Sequence, residues 1–198
     1  VNKKIKFAVL KKINNPYFMT DSNMENLSFI FKIVKILKIK KENLFKVLKK
    51  FHGLKYRQQI VFRSKDLIII NDSKATSFSS SVSILKSLSN VSWIVGGLPK
   101  KGDKFLLSKN NCKNSKAYIF GKNKNFFIKR LKNIMKYESF ENLKSLTKKV
   151  FKDVEYNINQ KPQTIFFSPA AASFDSFKNF EERGKYFNNL LKKFYNAR

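Results

Sequence analysis

The stretch Leu67-Ile68-Ile69-Ile70-Asn71-Asp72-Ser73-Lys74-Ala75-Thr76 runs four apolar residues together and then breaks into a short polar segment. An apolar run rich in β-branched residues, with no polar alternation, reads as a strand buried on both faces. That is the signature of a parallel sheet covered by helices on either side. Upstream, Gln59 to Arg63 pairs with this strand as a hairpin across Ser64-Lys65-Asp66. Downstream, patterning predicts a helix over Ser79 to Leu88, strands over Ser92 to Val95 and Ala117 to Phe120, and helices over Phe126 to Met135 and Phe140 to Phe151. A strand over Thr164 to Phe167 and a final helix over Ser176 to Phe194 follow. Strands alternating with helices imply an α/β, Rossmann-like, mostly parallel sheet flanked by helices.

The first quarter of the chain is different. Asn14 to Asp21 reads as a turn with Asn15-Pro16 as breaker. Ser22 or Asn23 then caps a helix reaching to about Lys38, in which Leu27, Ile30, Phe31, Val34 and Leu37 recur at three and four. A second amphipathic helix, Glu42 to Phe51, stops at His52-Gly53, with Gly as its C-terminal cap. The periodicity changes there, so the boundary is set at 53, dividing a short helical piece, 1–53, from an α/β domain, 54–198.

Composition narrows the function classes. The 198 residues carry 42 Lys plus Arg against 13 Asp plus Glu, yet 42% are hydrophobic, enough for a packed core rather than a disordered basic tail. The net charge of +29 invites a nucleic-acid reading. Arg, however, occurs only at 57, 63, 130, 183 and 198, whereas base readout and bidentate phosphate contacts favour Arg over Lys. Lysines spread along the whole chain beside abundant Asn, Ile and Phe read as compositional drift of exposed positions, with weak polyanion affinity and no specific nucleic-acid partner. The single cysteine, Cys112, rules out an internal disulfide and fits a reducing compartment, with the cytoplasm as the default.

The most apolar helical segment, Leu27 to Ile39, is interrupted by Lys32, Lys35 and Lys38, short of the roughly 20 apolar residues a membrane span needs. Val1 to Lys6 leads into only a short apolar patch without a small-residue cleavage site, so no signal peptide is expected. A first residue of Val rather than Met reads as a processed product or a piece of a longer chain.

In open α/β sheets ligands sit at the carboxyl ends of the strands, which directs attention to three loops. The first, Asn71 to Thr76, places Asp72, Ser73, Lys74 and Thr76 where they could hold a polar ligand or simply cap the next helix. The second, Gly96 to Asp103, imitates a phosphate-binding G-x-x-x-x-G-K-[ST] loop but has Asp103 where the lysine must be. That excludes a P-loop and leaves a turn aiming Lys100 or Lys101 at an anion, or a solvated charged turn. The third, Ser168 to Asp175, sets small residues between a buried strand and a helix, where backbone N–H groups could meet a carboxylate or where small side chains serve only close packing. His52, the only histidine, has no partner pattern, and the carboxylates show no metal-ligand spacing.

Three strings, Ile70-Asn71-Asp72-Ser73-Lys74-Ala75-Thr76, Gly96-Gly97-Leu98-Pro99-Lys100-Lys101-Gly102-Asp103-Lys104-Phe105 and Ser168 to Gly184, together resemble the Mur ligases. Within that family they match the members that add D-glutamate. The family's architecture is a UDP-sugar domain, a central ATPase domain and a C-terminal amino-acid domain. The resemblance covers the tail of the central domain, to about Gly53, and the whole C-terminal domain.

The resemblance implies ATP-dependent amide formation between D-glutamate and UDP-N-acetylmuramoyl-L-alanine through an acyl phosphate, in peptidoglycan precursor synthesis. It implies ATP and Mg2+ as cofactors, the magnesium ligands falling outside these residues. It also implies a monomer with small-molecule partners and no membrane. For D-glutamate it points to Thr76, Lys101, Ser173, Phe174 and Phe180, with Lys74 as a further candidate. For the nucleotide it points to Asn23, Asn26, Arg57 and Asp72. Ser22, Tyr56 and Gln59 depart from the family's histidine, histidine and glutamate at those positions. Three other readings stay open: a Mur ligase for another amino acid, a stand-alone amino-acid-binding domain without catalysis, and a basic nucleic-acid-binding module.

Overall fold

The computed structural model of the chain describes residues 7–19, 21–158 and 161–195. The readings made on Val1 to Lys6, and on the Ser22 side chain as a cap, lie outside what it describes. The chain separates into two compact units, Val1–Gly53 and Leu54–Arg198. Among the described residues no helix is long and apolar enough to cross a membrane.

The first unit is helical: α1 (Phe7–Ile13), a 3-10 turn (Pro16–Met19), α2 (Asp21–Ile36) and α3 (Lys41–Lys50). Its core joins Leu10, Ile13, Phe18, Leu27, Val34, Leu44 and Leu48. Helix α2 begins at Asp21, so Asn23 lies in its first turn rather than at the cap, and its side-chain amide donates to the Tyr17 carbonyl at 2.7 Å. The Asn15 read as a breaker has a second task. It is buried, and its amide donates to the Leu48 and Phe51 carbonyls at 2.8 and 2.7 Å, satisfying the open end of α3.

The second unit is a six-stranded sheet: β1 (Gln59–Arg63), β2 (Leu67–Asn71), β3 (Val91–Gly96), β4 (Ser115–Phe120), β5 (Lys136–Phe140) and β6 (Gln163–Phe167), in the order β1-β2-β6-β3-β4-β5. Only β1 is antiparallel, as the hairpin partner of β2, and every other pairing is parallel. Successive residues on a strand point to opposite faces. Ile70, Trp93, Val95 and Phe166 therefore pack with helices α4 (Phe78–Leu85) and α5 (Lys124–Leu131) on one side. Ile69, Ile94, Ile165 and Phe167 pack with α6 (Leu143–Ile158) and α7 (Phe180–Tyr195) on the other. The continuous apolar runs are thus fully consumed by a three-layer fold.

Three elements depart most from the sequence reading. Lys136–Phe140 is a strand, and Phe140 ends it rather than opening a helix. The segment alternates exposed and half-buried positions at the sheet edge, a weaker signal than the apolar runs of the inner strands. Helix α6 instead follows Asn142, whose side-chain oxygen accepts the Ser145 N–H at 2.9 Å as an N-cap. Helix α7 begins at Phe180, not Ser176. Asn179 accepts the Glu182 N–H at 2.8 Å and the Glu182 carboxylate accepts the Lys178 N–H at 2.8 Å, a reciprocal cap that fixes the start four residues later.

Candidate functional site

Strands β2, β6 and β3 lie side by side and parallel, so the three loops that follow them leave the same edge of the sheet. Backbone hydrogen bonds then lace the loops together. The Asp72 N–H donates to the Phe167 carbonyl at 2.7 Å, and the Gly96 N–H to the Pro169 carbonyl at 3.0 Å. Leu98 and Ala172 form a two-bond antiparallel bridge at 2.9 Å each. Gly97, at φ +128°, makes this approach possible, because a Cβ there would lie 2.6 Å from the Ala172 carbonyl oxygen.

Asp72 is buried at the junction of the first and third loops. Its Oδ1 accepts the Gln58 N–H at 3.1 Å and its Oδ2 accepts the Ser168 hydroxyl at 3.2 Å. Ser168 has a single proton, so once it donates to Asp72, the 2.6 Å contact with Ser81 requires Ser81 to donate. The Trp93 indole N–H donates to the Ser168 carbonyl at 2.8 Å and completes the chain. Burial pushes the Asp72 carboxyl up to about 7, against the lowering effects of the Gln58 N–H, the Ser168 hydroxyl and the nearby Arg57 charge.

Arg183, on the first turn of α7, is fully buried and spans two loops. Its Nη2 donates to the Ser73 carbonyl at 2.7 Å and the Ala171 carbonyl at 2.9 Å, and its Nε to the Ser73 hydroxyl at 3.1 Å. The Ser73 hydroxyl in turn donates to the Phe180 carbonyl at 2.8 Å. Among the described residues Arg183 Nη1 has no hydrogen-bond partner, nor has the buried Oδ2 of Asp175, whose charge opposes the downward pull of burial that holds Arg183 at about 10. Burial pushes the Asp175 carboxyl up. Asn71 locks the same corner, donating to the Gly184 carbonyl at 3.0 Å and the Asn188 side chain at 2.7 Å.

The residues singled out for D-glutamate fall on this edge in different states. Lys74 stands over the Phe180 ring, 4.1 Å from its centroid, joining first loop to last helix. Ser173 is buried, while Phe174 is 72% exposed and free to cover a ligand. Thr76 and Lys101 are exposed. Of the nucleotide candidates, Asn26 and Arg57 are exposed, whereas Asn23 is buried against Tyr17 and Asp72 is turned inward. Among the described residues no three His, Cys, Asp or Glu side chains converge as metal ligands.

Sequence reasoning missed Arg183, Asn71 and the Asp72-Ser168-Ser81 chain. A signal for Arg183 was present. In a chain whose cations are nearly all Lys, an Arg at the helical phase of Phe180 and Phe187 marks a buried, multiply bonded cation.

No family model matches the chain. Curated relatives do, several of them under one name. The chain is 33% identical over 171 residues to the UDP-N-acetylmuramoylalanine--D-glutamate ligase of Rickettsia felis, covering 86% of itself and 38% of that protein. It is 35% identical over 173 residues to the ligase of that name from the Wolbachia of Brugia malayi, covering 87% of itself and 34% of the relative. It is 30% identical over 190 residues to the one from a Hydrogenobaculum species, covering 96% and 45%. The chain therefore spans between a third and a half of the length of these relatives, and the similarity first read in three loops extends along nearly all of it.

Proposed function

We propose that this chain, a homologue of the D-glutamate-adding Mur ligases, supplies the amino-acid site of an ATP-dependent amide ligase in peptidoglycan precursor synthesis. The observation that carries the reading is the convergence of the three family-like loops on one sheet edge, where Arg183 ties two of them together. D-Glutamate would lie among the three loops. Lys101 and the hydroxyls of Thr76 and Ser173 would take its carboxylates, and Phe174 and Phe180 would flank its methylenes. Lys74, already placed over Phe180, would add a second cation at the same spot.

Bound this way, the amine of D-glutamate is held for attack on an activated carboxyl of UDP-N-acetylmuramoyl-L-alanine. The gain is the removal of translational and rotational freedom before the bond forms. ATP would supply the activation. Asn26, Arg57 and Asp72 are the residues that the resemblance offers it, and Asp72, which accepts from Gln58 and Ser168, also fixes the Tyr56 to Gln59 turn. Exclusion of water by closure over the exposed Phe174 would protect the activated acyl group from hydrolysis.

The test is a chimera in which this chain replaces the matching segment of the Rickettsia felis relative. Phosphate release from ATP that depends on both UDP-N-acetylmuramoyl-L-alanine and D-glutamate supports the reading. Release that depends on lysine or diaminopimelate instead would move the assignment to another Mur ligase.

A further inference from the structure

At the opposite, amino edge of the sheet, the loop before β4 and the turn between α5 and β5 enclose a cleft of about 1030 Å³. Lys109, Lys113, Lys116, Lys132 and Lys136 line it, with Glu138 as its one carboxylate. That carboxylate is already taken. Lys116 pairs with Glu138 at 2.5 Å and with Asp153 at 2.9 Å, while Lys149 pairs with Asp153, and the Tyr118 hydroxyl donates to Asp153 at 2.7 Å. The two acids and two bases form a closed, neutral cluster that reaches the cleft wall through Lys116 and Glu138. Lys109, Lys113, Lys132 and Lys136 form no ion pair among the described residues.

Four uncompensated ammonium groups around one concavity focus a positive potential that scattered surface lysines do not. The cleft has the size of a small-ligand site rather than of a nucleic-acid track, and it contains no Arg for base readout. We propose that it binds an oligophosphate anion of three or more charges, either inorganic or as the phosphate chain of a nucleotide. Lysine serves as a point-charge phosphate ligand. Tyr137, 38% exposed on the cleft wall, offers a ring to a nucleoside where one is attached. The cleft lies across the sheet from the loops assigned to D-glutamate, so the proposal stands apart from that reading.

Tripolyphosphate titrated into the full chain at about 50 mM salt, followed by calorimetry, tests it. The double variant Lys113→Glu with Lys136→Glu is expected to weaken binding about tenfold or more. Lys132 is spared because its charge also favours the end of α5. The control is Lys148→Glu with Lys152→Glu, two exposed positions on α6 with the same change in net charge, expected to weaken binding by less than about threefold. Unchanged circular dichroism in both variants establishes that they fold. Equal loss in the two double variants, or no measurable binding by the parent chain, would overturn the proposal, since attraction would then belong to the whole basic surface. GTP separates the sources: affinity equal to that of tripolyphosphate assigns the site to the phosphate chain alone. Tighter binding that Tyr137→Ala removes assigns it to a nucleotide.

Discussion

Arg183 donates from Nη2 to the Ala171 carbonyl at 2.9 Å, so a residue of the last helix holds the loop that follows β6. The same nitrogen reaches the Ser73 carbonyl, so this one side chain ties both loops, alongside the direct Ser168 hydroxyl to Asp72 contact between them. Replacing Arg183 with Ala would leave two buried carbonyls short of a donor and cost about 3 kcal/mol of stability. Arg183→Lys, which keeps the charge but lacks the fork, recovers only part of this. Urea unfolding of the three proteins gives the ordering, and equal midpoints would show that the clamp is idle.

Asp72 makes a pH signature. Its carboxyl is raised to about 7 in the folded chain from 3.8, so between those values the folded state keeps a proton that the unfolded state has lost. Stability from this group is full below about pH 4, falls as pH rises toward 7, and is flat above, by on the order of 4 kcal/mol at most. Asp153 acts with the opposite sign and in a lower window, since its carboxyl is held at about 2 by Lys149, Tyr118 and Lys116 against the effect of burial. The difference in unfolding free energy between the parent and Asp72→Asn, measured from pH 4 to 8, should therefore change in favour of Asn as pH rises. A difference independent of pH contradicts the burial argument.

Gly97→Ala sets a Cβ against the Ala172 carbonyl oxygen and 3.0 Å from Arg183 Nη1, at a φ of +128°. The expected cost is about 2 kcal/mol or more, concentrated in the Leu98–Ala172 bridge. Hydrogen exchange should show the Leu98 and Ala172 amides losing protection while the Trp93 and Ile165 amides of the inner strands keep theirs. Uniform loss would mean the bridge is not a local feature.

Lys101→Ala in the chimeric ligase is expected to raise KM for D-glutamate about tenfold or more with a smaller change in kcat, as loss of a ground-state carboxylate contact requires. An unchanged KM removes Lys101 from the site.

The inner strands were legible in the sequence because burial on both faces leaves no room for polar alternation, as at Leu67 to Ile70 and Thr164 to Phe167. The edge strand Lys136–Phe140 was not, since its composition answers to one half-covered face. The start of α7 was encoded in Asn179 and Glu182, a short-range signal overridden in the reading by the longer apolar period. For the candidate site, the loops could be located from the rule that ligands gather at strand carboxyl ends. Their lacing could not, because the hydrogen bonds of Arg183 and Asp72 join residues 12 to 110 positions apart in the chain.

The most direct measurement is amide NMR of the 198-residue chain titrated to millimolar D-glutamate, with L-glutamate alongside. The account predicts saturable shifts confined to the loops carrying Thr76, Lys101 and Ser173 and to Phe174 and Phe180, larger for the D enantiomer. Shifts that are absent, that fall elsewhere, or that are the same for both enantiomers would contradict it.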